Sequence, residues 1–498
     1  MRESRQRMLQ TAALWVTNSV VLVIGAWGIS LFVRHSLAAL GFPYPLDYGE
    51  GPLLDQAARL ADFRNIYPAD ISEAPYAVSN YTPLFVVLQT PLVWLFGPAF
   101  WYGRVISIAS AIIVAGLIYL TLNTLTKDKI ASLVGGMLFL DVPYVLLWSS
   151  ISRVDMMGLA LSWGGIYLVV RKLEGSRNVI LAALLMVAAI YTRQTYALAA
   201  PLAAFVWLLS QRQRRHALTL ALVVGGTSLG LLAILSALTD GGFFLHTVTA
   251  NMNEFFWEQV TFFILRLLRL MPVLLAGAAA FLILGLRSRG ASWWLIVPYL
   301  LGGLTTACLI GKAGAYVNYL LELSAALALV SGALVARCAG KVGVRSVIVL
   351  AIAAQMVIMV HASQSLYTGL QDRIISHRDG MERLQEIIQN SERPVLADEY
   401  MGLLPVNGRR IYIQPFEFSQ LSREGKWDQR PFVKSVKRKK FEAIIITGSS
   451  SPPQEQWTAE MLKTLHASYR PTEKLAGATV YRPRAPDGGH GPKRTGIP

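Results

Sequence analysis

The residues of this chain that could do chemistry sit between its apolar runs. Pro45-Leu46-Asp47-Tyr48-Gly49-Glu50-Gly51 carries two carboxylates three positions apart, with glycines on both sides of Glu50. Glycine lets a backbone approach a ligand closely. An ionised carboxylate can take a proton from a hydroxyl, and a second can orient a group or bind a cation. The bland alternative is structural: Asp47 caps a helix running from Glu50 to Arg64, and the glycines make the turn before it.

Three more stations follow the same pattern. Ser152-Arg153-Val154-Asp155 opens an apolar run. There Arg153 can hold a phosphate and Asp155 a metal or a sugar hydroxyl, or the two form a local ion pair. Tyr191-Thr192-Arg193-Gln194-Thr195-Tyr196 is a tight turn between two apolar runs. An arginine there either meets an anionic partner or snorkels to headgroups. Ile310-Gly311-Lys312-Ala313-Gly314-Ala315-Tyr316, followed by Asn318 and Glu322, offers backbone amides and an ammonium to a phosphate. It lacks the spacing of a P-loop. Glu322 falls about one turn inside the next apolar run, where a lone carboxylate is costly unless it pairs with something.

Other polar residues say less. Asp141, near Pro143, either pairs with a basic residue or hydrates a kink. His246, Asn251, Asn253, Glu254 and Glu258 form a polar loop that could touch an acceptor. The seven histidines show no HExxH spacing and the two cysteines, Cys308 and Cys338, no CxxC, so no zinc site and no disulfide is expected.

The elements that must position these residues are membrane spans. Of 498 residues, 54% are hydrophobic and only 15% charged, with mean hydropathy +0.44. That composition belongs to a multi-pass membrane protein. The net charge of +16 lies in short loops, as cytoplasmic loops require, and not on one face as nucleic-acid binding would. About eleven segments approach the roughly 20 residues of a span. They begin with Ala12–Val33, read as a retained span and not a cleaved signal. They continue with Arg104–Leu125, Ile130–Trp148, Val154–Val170, Val179–Tyr191 and Tyr196–Leu209. Ala217–Leu238, Phe262–Leu286, Trp293–Ile310, Val317–Ala336 and Ser346–His361 complete them.

Arginines before span one place the N-terminus in the cytoplasm. Arg171-Lys172, Gln211–Arg215, Arg287–Arg289 and Arg337–Arg345 fall on that same side. Pro83–Gly97 is apolar but too short to cross, and is read as re-entrant or interfacial. The outside face then holds residues 34–103, the Arg153, Arg193 and Lys312 loops, the loop 239–261 and everything after 362. Residues 1–362 form the transmembrane catalytic domain. Residues 363–484 form a small soluble α/β domain, with a helix over His377–Gln389, strands over Pro394–Ala397, Arg410–Gln414 and Glu442–Thr447, and a helix over Gln454–Ala467. Its basic run Lys437–Lys440 faces solvent or anionic headgroups. Residues 485–498 are read as a disordered tail.

Asp47 with Glu50, Arg153 with Asp155, Arg193, Lys312 and Glu322 therefore map to one membrane face. Carboxylates and cations around one cavity match the needs of transfer from a phosphate leaving group.

At this point the chain resembles the GT-C superfamily of polyprenyl-phosphate-dependent glycosyltransferases, near its protein O-mannosyltransferase and aminoarabinose-transferase branch. The resemblance rests on Asp47-Tyr48-Gly49-Glu50-Gly51, Tyr81-Thr82-Pro83-Leu84-Phe85, Gly103-Arg104 and Arg153-x-Asp155. The branch usually has adjacent Asp-Glu and His-Pro-Pro-Leu; here two residues separate the acids and Tyr81-Thr82-Pro83-Leu84 lacks the histidine. The resemblance implies an α-helical polytopic membrane protein of the inner membrane. It implies inverting transfer of a hexose or pentose from a polyprenyl phosphate to a hydroxyl of a protein, glycan or lipid. Asp47 would be the base. Glu50 and Asp155 would orient sugar hydroxyls or a divalent cation, Mg or Mn, whose use the resemblance leaves open. Local chemistry, not motif transfer, nominates Arg193 and Lys312 for the leaving phosphate, with Tyr81, Arg153, Asn318 and Glu322 as further substrate contacts. A flippase of lipid-linked saccharides or a non-catalytic scaffold remain as other readings. A transporter would show inverted repeats and midplane ionisable residues, and no repeat is visible.

Overall fold

A computed structural model describes residues 2–171, 176–287, 289–448 and 456–484. Lys172, the start of the helix expected from Gln454, and the tail 485–498 lie outside them.

The first span is longer than expected. α1 (Arg2–Gly41) is one unbroken helix, because no proline or glycine cluster stops it before Gly41. The segment after α1 then forms α2 (Glu50–Ala61) and α3 (Leu84–Phe96). At 13 residues, α3 is about 20 Å long, too short to cross the hydrocarbon core. α4 (Trp101–Thr126) is a full-length span.

Two expected spans are broken, each at a proline. Ile130–Trp148 is α5 (Lys129–Asp141) and α6 (Pro143–Ser149), bent by 62°. Proline lacks the amide hydrogen and clashes with the preceding turn, so the helix restarts at Pro143. Among the described residues the Asp141 carboxylate at the break meets no basic residue; it packs against Gly28 of α1, where a Cβ would collide with it.

α7 (Val154–Val170), α8 (Ser176–Ile190), α9 (Ala199–Ser210), α10 (Arg214–Leu238) and the short α11 (Gly242–Thr247) follow. The second correction concerns Phe262–Leu286. It is α12 (Trp257–Leu270) and α13 (Pro272–Arg287), bent by 93° at Pro272. α12 buries Val260, Phe263 and Leu267 on one face and exposes Phe262, Leu265 and Leu268 on another. It is an amphipathic segment, so the periodicity of its apolar residues outweighs their number.

α14 (Trp293–Cys308), α15 (Leu321–Arg337) and α16 (Val342–Gln389) complete the membrane part. α15 is buried from Leu321 to Val335, with α4, α5, α13 and α14 packed around it. A helix apolar all round belongs at a bundle's centre. Among the described residues six helices are long and apolar enough to cross a membrane, eight if each bent pair counts as one span. The chain is a multi-pass α-helical membrane protein.

α16 runs for 48 residues without a break, through position 362 and on into the soluble part. Its end packs Met381, Leu384, Ile387 and Ile388 into the core of a four-stranded sheet domain. That domain contains β1 (Val395–Ala397), α17 (Leu403–Val406), α18 (Pro415–Arg423), α19 (Arg430–Lys437), β2 (Ala443–Thr447), α20 (Ala459–Ser468), β3 (Tyr469–Leu475) and β4 (Ala478–Pro483). The strand order is β1-β2-β4-β3, with β1 parallel to β2 and the other pairs antiparallel. The strand expected over Arg410–Gln414 does not form. Ile413 makes a single bridge to Tyr76, between α2 and α3, instead, which ties the two parts together. The β3–β4 hairpin was not expected. Its outward positions are charged, which hides it, but it turns through Ala476 and Gly477, both at positive φ.

Candidate active site

The loop between α1 and α2 holds two acid–arginine pairs of opposite character. Glu50, at the start of α2, is wholly buried. Its Oε1 and Oε2 accept from Arg104 Nε and Nη2, both at 2.8 Å. They also accept from the Ser152 and Leu46 amides, both at 2.7 Å. Arg104 is equally sealed, donating further to the carbonyls of Ala39, Phe42 and Tyr44. Burial alone would raise the Glu50 carboxyl, but Arg104 and the two amides outweigh it and hold it below the usual range.

Asp47 is open. Its Oδ1 accepts from the Gly49 amide at 2.9 Å and from Arg153 Nη1 at 3.1 Å. Among the described residues, Oδ2 has no hydrogen-bond partner. Arg153 precedes α7 in extended conformation. It donates to the Tyr81 hydroxyl at 2.9 Å and lies over the Tyr81 and Trp148 rings at 5.6 and 5.7 Å. Gly49 is required here: a Cβ would occupy the Arg153 guanidinium.

A second, buried layer lies behind. Asp155 pairs with Arg193 and accepts from Trp148 Nε1 at 2.7 Å and Asn318 Nδ2 at 3.0 Å. Tyr196 donates to its carbonyl at 2.6 Å. Arg193 lies 4.5 Å from the Tyr319 ring centre. Glu322 is buried in α15, and among the described residues its carboxylate oxygens have no hydrogen-bond partner.

The Lys312 loop pairs with the 239–261 loop through backbone bonds from Phe256 to Gly311 and from Ala313 to Glu254. Lys312 Nζ donates to the Asn251 carbonyl at 2.7 Å. Asn253 fixes the same loop by donating to Ala313.

These elements enclose a cavity of about 570 Å³ between the spans and the C-terminal domain. Asp47, Tyr81, Arg153, Lys312 and Asn318 line it. Glu50, Asp155, Arg193 and Glu322 do not. Asp155 reaches it through Asn318 and Trp148, which it holds in place, and Arg193 through Tyr319.

Sequence reasoning passed over part of the wall. Arg373 on α16 donates to the Leu46 and Pro45 carbonyls. Glu417, at the start of α18, accepts from the Tyr48 hydroxyl. Burial raises the Glu417 carboxyl, with Tyr48 and Arg153 pulling the other way. Glu399, Phe416 and Gln456 complete this side. The sequence carried part of the signal for Arg373: the helix begun at His377 extends back to Val342 without a break, which puts Arg373 on it.

Asp47, Glu50 and Asp155 are each engaged by a guanidinium. Among the described residues no group of three or more His, Cys, Asp or Glu comes together.

Residues 80–239, less than half the chain, match the family model of dolichyl-phosphate-mannose-protein mannosyltransferases. No curated protein matches. Solved structures match along nearly the whole chain. ArnT from Cupriavidus metallidurans bound to undecaprenyl phosphate is 13% identical, with 95% of this chain and 98% of that one covered, at TM-score 0.60. The archaeal oligosaccharyltransferase AglB from Archaeoglobus fulgidus, in complex with an inhibitory peptide and a dolichol-phosphate, is 11% identical, with 92% and 74% covered, at TM-score 0.55. The Archaeoglobus fulgidus oligosaccharyltransferase with Zn and sulfate gives 12%, 93%, 73% and 0.57. The chain therefore has the fold of ArnT and of the archaeal oligosaccharyltransferase AglB.

Proposed function

We propose that this protein is an inverting glycosyltransferase that moves a sugar from a polyprenyl-phosphate donor to an acceptor hydroxyl on the outer side of the inner membrane. One observation carries the reading: a carboxylate oxygen without a partner, on Asp47, shares one cavity with Arg153 and Lys312. The undecaprenyl phosphate on ArnT and the dolichol-phosphate on AglB support a lipid phosphate as the donor's anchor.

In this reading the phosphate docks against Lys312 and Arg153, both on the cavity wall. Asp47 Oδ2 accepts the proton of the acceptor hydroxyl as its oxygen bonds to the anomeric carbon. The bond from that carbon to the phosphate oxygen breaks on the opposite face, so configuration inverts. The departing phosphate takes the bonding electrons and is stabilised by the two cations. Preorganised cations matter most where charge develops; removing one such donor raises a barrier by about 2–4 kcal/mol. Tyr81 and Asn318 contact the sugar. Asp155 acts through Asn318 and Arg193 through Tyr319, and Glu50 acts by fixing the loop. The acceptor is a protein, glycan or lipid hydroxyl.

Counting α7, α8 and the helical segment Gln194–Ser210 as short spans across a locally thinned bilayer, with the eight above, gives the eleven expected. The N-terminus is then cytoplasmic and residues 363–484 extracytoplasmic, with the bilayer as a partner throughout.

Purified protein in detergent, given radiolabelled polyprenyl-phosphate sugars and membrane extract as acceptor, should release label from the lipid. Unchanged lipid-linked label across the donor series would contradict the reading. For sidedness, cysteines introduced beside Lys312 and beside Arg214 should label from opposite sides; same-side labelling overturns the topology.

A further inference from the structure

The segment before α2 looks like a membrane-domain loop, yet its side chains belong to the C-terminal domain. Phe42 and Tyr44 are buried in that domain's core with Met381, Leu384, Tyr400 and Met401, and Leu46 and Tyr48 pack onto the same cluster. The stretch bends at Tyr44, Leu46 and Asp47 and turns at Tyr48-Gly49. Asp47 lies between Leu46 and Tyr48 on the cavity wall, which those two also line.

Two polar clamps flank Asp47. Arg373 Nη1 donates to the Leu46 carbonyl at 2.9 Å and Nη2 to the Pro45 carbonyl at 3.4 Å, just before it. Just after it, the Tyr48 hydroxyl donates to Glu417 on α18. Gly51 then lies against Gly402, where a Cβ would come within 2.7 Å of the Gly402 nitrogen.

Building on the transferase reading, we infer that the C-terminal domain positions the base: Arg373 and Glu417 are positioning residues that hold Asp47 in register with Arg153 and the cavity. The domain thus completes the reaction centre. Neither residue touches the reacting atoms in this scheme; each acts on the backbone or side chain next to Asp47. Misplacing a reacting group by about 1 Å costs up to a hundredfold in rate, whereas the substrate's other contacts are untouched.

The test uses the full-length protein with Arg373→Ala, Glu417→Ala, Glu417→Gln and Tyr48→Phe. Expected are a fall in kcat of about ten- to a hundredfold for Arg373→Ala and Glu417→Ala, and a donor KM within about twofold of wild type. Glu417→Gln keeps an oxygen that accepts from Tyr48 and should recover most of the rate. Tyr48→Phe should lose rate alone and lose little more when combined with Glu417→Ala. Hydrogen exchange over residues 44–50 should quicken in the alanine variants and not elsewhere. This arm needs no activity and covers a variant too damaged to turn over. Unchanged kcat in both alanine variants, or unchanged exchange over 44–50, overturns the inference. If wild type transfers no sugar while exchange behaves as expected, the transferase reading fails and the clamp stands.

Discussion

The two acid–arginine pairs built on Asp47 and Glu50 use the same chemistry three residues apart and do opposite things. Glu50 and Arg104 have no exposed side-chain surface, whereas Asp47 and Arg153 keep 28% and 13%. Every oxygen of Glu50 has two donors. Asp47 has one oxygen satisfied and one open. A buried pair that is fully hydrogen-bonded fixes a shape, and breaking it strands a charge in a dry interior. A half-satisfied pair at a cavity has room for a substrate. The residue types alone cannot separate these roles; what separates them is the number of donors each acid meets.

The largest expected effect lies on the sealed pair. Glu50→Ala leaves Arg104 charged and buried, at a cost of about 3–5 kcal/mol. It should appear as lost folded protein in detergent size-exclusion, with Arg104→Leu similar and the double variant milder than the sum. Next is Lys312→Met, which should lower the transfer rate about 10²- to 10³-fold with thermal stability close to wild type. Equal losses in rate and stability would make Lys312 a structural residue. Tyr81→Phe removes the hydroxyl that accepts from Arg153. A neutral partner of this kind is worth about 1 kcal/mol, a several-fold effect on donor KM.

A pH experiment sharpens the contrast further. The free Glu50 carboxyl titrates near 4.5 and the folded one lower, because Arg104 and two amides hold its charged form against burial. Its contribution to stability is therefore complete above about pH 4.5 and is lost as pH falls through the depressed folded value. Thermal unfolding between about pH 6 and 3 should show this loss in wild type and less of it in Glu50→Gln.

Much of this was legible in the chain. Apolar run lengths found most of the helices, and the charges at their ends grouped Asp47, Glu50, Arg153, Asp155, Arg193, Lys312 and Glu322, of which Asp47, Arg153 and Lys312 line the cavity. What run length missed was bending: Pro143 and Pro272 divide runs that composition alone joins. What residue type missed was satisfaction. Glu50 and Asp155 read as substrate ligands because their partners, Arg104 and Arg193, are remote in sequence. Arg373 and Glu417 escaped notice because nothing local shows that the long helix α16 and the start of α18 come back to the Asp47 loop.

Asp47→Asn tests the central claim most directly. The amide keeps the size and still accepts from Gly49 and Arg153, but cannot take a proton. With label transfer from a polyprenyl-phosphate sugar as readout, the rate should fall about 10²- to 10⁴-fold, while thermal stability and donor binding stay near wild type. Transfer at the wild-type rate would show that the base is some other group.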